Sequence, residues 1–237
     1  MLKIDNISKT YGMNKKKAVD GLSLEVLPGE IYGFIGHNGA GKTTTIKSIV
    51  GIIAFEQGNI LINGISIKEN PMSCKKLIAY IPDNPDIYDS LTGIQYLNFI
   101  GDVFEIPIDE RKNLIDKYSE LFKLKSNLED LVSTYSHGMK QKLVIISALI
   151  HKPKLLVLDE PFVGLDPKAA FALKTIMKEM CKNGTSVFFS SHVLEVVEKL
   201  CDRVGIIKDG KLLLEGKTSE VIGHKSLESL FLELNDE

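Results

Sequence analysis

Short runs of β-branched and aromatic residues open the chain. Leu2 to Ile7, Leu22 to Val26 and Glu30 to Ile35 read as strands, with turns at Tyr11-Gly12 and Pro28-Gly29 between them. A glycine-rich loop follows, and Lys42 to Val50 predicts a helix that stops at Gly51. Ile60 to Ile62 and Ile65 to Ile67 flank Asn63-Gly64, a pair suited to the left-handed backbone of a two-residue hairpin turn. Leu77 to Ile81 reads as another strand, ended by Pro82.

Beyond Pro85 the period changes. From 86 to 150 apolar side chains recur at helical spacing, as at Ile94, Leu97, Phe99 and Ile100, then at Leu114, Ile115, Tyr118, Leu121 and Phe122. Strands return at Lys154 to Leu158 and Ser186 to Ser190, compact apolar runs of the kind buried on both faces of a parallel sheet. Between them Pro167 to Lys182 predicts a helix with proline in its first turn and Asn183-Gly184 as its stop. A helix from Val193 to Leu200, strands at Arg203 to Ile207 and Lys211 to Leu214, and a short helical tail from Thr218 to Glu237 complete the pattern. No internal repeat or long linker interrupts it, so the helical third is expected to be an insertion within one domain. That places a core at 1–83 and 146–222, the insertion at 84–145 and a tail at 223–237.

Composition limits the partners. With 237 residues, 44% hydrophobic and 25% charged, the chain is an ordinary globular one; 29 basic against 31 acidic side chains leave a net charge of −2. Nothing there calls for nucleic acid as an electrostatic partner. The longest apolar runs, such as Leu143 to Ile150 with one serine inside, fall far short of the roughly 18 residues that span a bilayer, so the chain is expected not to cross one by itself. Its first residues alternate apolar and polar and lack a secretory signal, which points to the cytosol. Cys74, Cys181 and Cys201 form no C-x-x-C pair and no cluster with histidine, so they read as reduced, structural thiols.

The chemistry begins at Gly36-His37-Asn38-Gly39-Ala40-Gly41-Lys42-Thr43, which fits G-x-x-x-x-G-K-[ST] between a predicted strand and a predicted helix. Its backbone N–H groups can curl around phosphate oxygens while the helix points its positive end at the same anion. Lys42 is expected to reach the β- and γ-phosphates and Thr43 to hold Mg²⁺, with Thr44 completing the binding set. A second signal is the apolar run Leu155 to Leu158 ending in Asp159-Glu160. Buried strands rarely finish on two carboxylates unless a cation faces them. Asp159 would meet Mg²⁺ through its water shell, and Glu160 would act as general base toward the attacking water.

With these residues in order, Tyr135-Ser136-His137-Gly138-Met139-Lys140-Gln141 resembles the LSGGQ signature of ABC transporter ATP-binding subunits, and the resemblance extends over nearly the whole chain. It implies an α/β fold: a P-loop NTPase core with a mainly parallel sheet, an N-terminal antiparallel β region and a helical insertion. Gly164-Leu165-Asp166 corresponds to the family's D-loop, His192 to its switch histidine and Tyr11 to the aromatic that stacks on adenine. The resemblance further implies ATP and Mg²⁺ as ligands. A second cassette, identical or sibling, would bring its Ser136 and Gly138 to the γ-phosphate. A polytopic permease would hold the pair at the cytoplasmic face of the membrane.

Asp83 stands where the family usually has a glutamine that meets the metal, His137 replaces the first signature glycine, and Met139 the signature glutamine. These departures predict reduced but real turnover. The compact chain and its S-x-G-M-K-Q signature resemble cassettes of ABC-2 type exporters of drugs, peptides or lipid-like cargo. The region Ile87 to Phe104 is expected to form the groove for the permease. The alternative is a soluble single-cassette ATPase, for example one serving cluster assembly; a P-loop kinase gives no reason for the signature.

Overall fold

The computed structural model describes residues 1–12 and 16–236. β1 (Leu2–Tyr11) and β2 (Lys16–Val26) form a longer antiparallel pair than the hydrophobic pattern predicts. Register shifts after Ile4 and Ile7 break strict alternation, so backbone pairing continues through polar residues that a period of two does not flag. β3 (Ile31–Ile35) leads into α1 (Lys42–Ile49), and the hairpin β4 (Gln57–Ile62) and β5 (Ile65–Ser66) turns at Asn63-Gly64. α2 (Pro71–Leu77) went unsignalled; only Cys74 on it is buried, too little to display a helical stripe. β6 (Ile78–Ile81) follows.

The helical third consists of α3 (Gly93–Val103), α4 (Ile108–Leu121) and α5 (His137–Ile150), so the expected boundary at 145/146 falls inside a continuous helix. α3 starts at a reciprocal cap in which the Thr92 hydroxyl accepts from the Gln95 N–H and the Gln95 side chain accepts from the Thr92 N–H. Then come β7 (Leu155–Asp159), α6 (Pro167–Lys182), β8 (Ser186–Ser191), α7 (Leu194–Leu200), β9 (Arg203–Lys208) and β10 (Lys211–Lys217). α8 (Thr218–Ile222) and α9 (Leu227–Asp236) form the tail.

Among the described residues a six-stranded sheet runs β10-β9-β3-β8-β7-β6, parallel except for β10, and a separate antiparallel sheet runs β2-β1-β4-β5. The expected α/β architecture is present. Alternating side chains divide the core between the two faces of the main sheet. Phe34, Val157 and Phe188 face Leu2, Ile4 and Ile46, whereas Ile35, Leu158 and Phe189 face Leu97, Ile115 and Leu143 of the helical third. Each such buried side chain contributes about 1.5–3 kcal/mol. Because β8 lies between β3 and β7, with Ser191 beside Ile35 and Ser190 beside Asp159, three carboxyl ends converge on one edge, where open α/β sheets bind ligands.

Candidate functional site

The glycine-rich loop leaves the fully buried β3 and ends at Gly41, the N-cap of α1, with φ of 111°. A Cβ there would lie 2.3 Å from the Ala18 carbonyl oxygen, so both backbone angle and space demand glycine. His37, Asn38 and Gly39 are exposed at the crest, while Gly36 and Ala40 are buried at its base. Lys42 is 7% exposed, and its Nζ donates to the carbonyls of Gly36 at 2.6 Å and His37 at 3.3 Å, folding the ammonium into the loop. Burial pulls its pKa down, opposed by the nearby charges of Glu160 and Asp159. Thr43 is exposed beside the loop and Thr44 half-buried.

Asp159 ends β7 at 1% exposure. Its Oδ1 accepts from the Ser190 hydroxyl at 2.5 Å, and its buried Oδ2 has no partner among the described residues. A desolvated carboxylate oxygen left bare is costly, so the position fits a cation. Among the described residues no three His, Cys, Asp or Glu side chains cluster as a metal site. Such a sparse set suits Mg²⁺, which keeps water and takes one or two carboxylates together with substrate phosphates. Glu160 has φ of 48°, an uncommon angle for a non-glycine residue, fixed by its N–H donating to Ser190 Oγ at 3.1 Å. Its Oε2 accepts from the backbone N–H of His192 at 3.2 Å and lies 2.8 Å from His192 Nδ1. Asp83 is exposed after β6, its Oδ1 accepting from the Asn84 N–H. Burial raises the Tyr80 phenol pKa, and the charges of Asp159 and Asp83 raise it further.

The signature residues lie elsewhere. Ser136 N-caps α5, accepting from the Met139 N–H at 3.3 Å, and Asp166 N-caps α6, accepting from the Ala169 N–H at 2.9 Å. Lys142 bridges the two helices through a 2.6 Å ion pair with Asp166, and this contact holds the Asp166 carboxyl below its usual range. His137 lies against Gly164: a Cβ on Gly164, whose φ is 77°, would come within 2.7 Å of the imidazole. A Cβ on Gly138 would come 2.8 Å from the Gly164 carbonyl oxygen. Thus the side chain that replaces the first signature glycine packs on the D-loop of its own chain. Among the described residues no hydrogen bond or ion pair joins 135–142 to 36–44.

Tyr11 is 49% exposed at the end of β1, with the Lys9 ammonium 5.4 Å from its ring centre. It belongs to the hairpin whose Ala18 abuts Gly41. Sequence reasoning missed Ser190 and Lys142. Ser190 is important only because β8 sits beside β7, a pairing that no local pattern announces. A groove of about 360 Å³ opens between α3, α5 and β6, lined by Ile52, Ile87, Ile100, Phe104, Val144 and His151 among others. From the stretch Ile87 to Phe104 it takes Ile87, Tyr96, Ile100 and Phe104.

A family model described as ABC transporter matches residues 19–163. The linearmycin resistance ATP-binding protein LnrL of Bacillus subtilis (strain 168) is 37% identical over 221 residues, 93% of this chain and 70% of that protein. The bacitracin transport ATP-binding protein BcrA of Bacillus licheniformis is 40% identical over 216 residues, 91% of this chain and 69% of that protein. A solved ATP-binding subunit of an ABC transporter superposes with a TM-score of 0.94 at 32% identity, covering 99% of each chain.

Proposed function

This chain belongs to the ABC transporter family as one of its ATP-binding, ATP-hydrolysing subunits, and from that premise we propose that two such cassettes close head to tail around two Mg-ATP and drive a separate polytopic permease. The observation that carries this reading is the separation of half-sites. Lys42, Asp159, Glu160 and His192 converge at one sheet edge, while Ser136 caps α5 and Gly138 lies against Gly164 of the D-loop, and among the described residues neither bonds to the phosphate loop. The two halves complete each other only across two copies.

In the closed pair the N–H groups of Gly36 to Thr44 would hold the phosphates, Lys42 would meet the β- and γ-oxygens, and Tyr11 would stack on adenine. Thr43, Asp159 and Asp83 would hold Mg²⁺, which supplies neutralisation of the phosphate charge. Glu160 would take a proton from water as that water attacks the γ-phosphorus, and ADP would leave with the electrons of the broken P–O bond. His192, with its Nδ1 side on Glu160, would present its remaining ring nitrogen toward the γ-phosphate. Ser136 and Gly138 of the second cassette would face that phosphate from a helix N-terminus, and Asp166 would mark the contact between cassettes.

We divide the chain into a core at 1–83 and 146–222, an insertion at 84–145 and a tail at 223–237, with α5 running unbroken from the insertion into the core. The apolar groove flanked by α3 and α5 would receive a helix of the permease, which would hold the cassette at the cytoplasmic face of the membrane. No helix among the described residues is long and apolar enough to cross a membrane. Export of a drug, peptide or lipid-like cargo is supported by relatives named for linearmycin resistance and bacitracin transport. Glu160→Gln is expected to lower turnover by roughly 100-fold or more and to trap an ATP-bound dimer on gel filtration. A monomer at saturating Mg-ATP would refute the sandwich.

A further inference from the structure

Among the described residues His192 takes its hydrogen bonds from one side, that of Glu160. Its backbone N–H and its Nδ1 both address the same Glu160 oxygen, and 58% of its side chain is exposed. An exposed imidazole with one partner can turn away from a phosphate unless something walls its other side. Across a cleft from that ring stands the tail. Phe231, partly buried on α9, lines a cleft of about 190 Å³ with Gly36, His37 and Asn38 of the phosphate loop and with Ser191 and His192.

α9 is fastened to both arms of that site. At its start Leu227 is fully buried and its N–H donates at 2.9 Å to Glu198 Oε2, on the helix that follows His192. Near its end the Leu234 carbonyl accepts at 2.9 Å from Lys208 Nζ, the neighbour of Ile207, whose atoms pack on Gly36 and Gly41. Leu227 and Phe231, four apart, share one helix face, and Leu230 and Leu234 also pack against the core. The helix is therefore a strap between the His192 arm and the phosphate-loop arm, with its aromatic side chain between the two tethers.

We propose that Phe231 is a positioning residue for hydrolysis: it confines the His192 ring over the phosphate loop, so that the tail sets the geometry of the γ-phosphate end. This rests on the reading of that loop and His192 as the nucleotide site. A displaced general-base partner misplaces the reacting atoms without loosening the adenine and α/β-phosphate contacts. Phe231→Ala is therefore expected to lower kcat about tenfold with KM for ATP within about twofold, and Phe231→Tyr to restore most of the rate. A merely structural residue would lower thermal stability and leave kcat of the folded protein intact; that result overturns the proposal.

The chain contains no tryptophan, so Phe231→Trp places a single indole reporter in the cleft. Its emission is expected to shift on saturation with Mg-ATP. In parallel, binding of a fluorescent ATP analogue to the wild-type chain reads the site itself. Binding with a silent indole overturns the strap alone, whereas no binding by the wild-type chain overturns the nucleotide-site reading and the strap with it.

Discussion

Ser190 shows how much one hydroxyl can organise. It donates to Asp159 Oδ1 and accepts from the N–H of Glu160, so it fixes the buried carboxylate and the left-handed turn that aims the next one. Ser190→Ala would leave Asp159 with both oxygens bare in a buried setting. The expected loss is about 1–3 kcal/mol of stability, read as a lower urea midpoint, with a fall in ATP turnover larger than the fraction unfolded explains. Asp166 gives a pH-dependent counterpart. Lys142 holds its carboxyl below the ordinary value of 3.8, so the folded chain favours the ionised form. The resulting stability is full above that value and fades as pH falls through the lowered one. Urea midpoints of wild type and Asp166→Asn are thus expected to differ by a constant amount between about pH 5 and 8 and to converge below about pH 4.

Between elements, the signature helix and the D-loop fit as a matched pair. His137 occupies the space that Gly164 leaves by lacking a Cβ, and Gly138 clears the Gly164 carbonyl. Gly164→Ala is expected to cost about 1–3 kcal/mol, from its left-handed backbone and from the imidazole it would meet. Adding His137→Gly should recover the steric part, and a double-mutant cycle on thermal unfolding measures it. Of the three departures from the family pattern, the one at His137 is thus matched by a glycine at 164. Such compensation was invisible along the chain because 137 and 164 are joined only by folding. The phosphate loop, the helix from Lys42 and the proline-led helix from Pro167 were legible because each is written in consecutive residues. α2, with one buried side chain, and the polar end of β1 were not, since their backbones are held by pairing and tertiary contact rather than by an apolar period.

For the molecule as a whole, the groove is the face most open to test. Ile52 is 57% exposed on its rim, so changing it should leave folding intact. Ile52→Glu is expected to cut recovery of the permease in a detergent pull-down by about tenfold, since an unpaired charge would then enter an apolar contact. Normal recovery would move the docking site elsewhere. α5 gives this face a mechanical meaning. The helix begins at Ser136, on the face where a second cassette would press, and its last turns put Val144, Ser147 and Ala148 into the groove wall. Fourteen residues at 1.5 Å each make one stiff rod of about 20 Å, without a loop or hinge along it. A tilt imposed at one end must therefore sweep the other, and the length of this single helix would set how far the groove wall travels for a given tilt at the signature end.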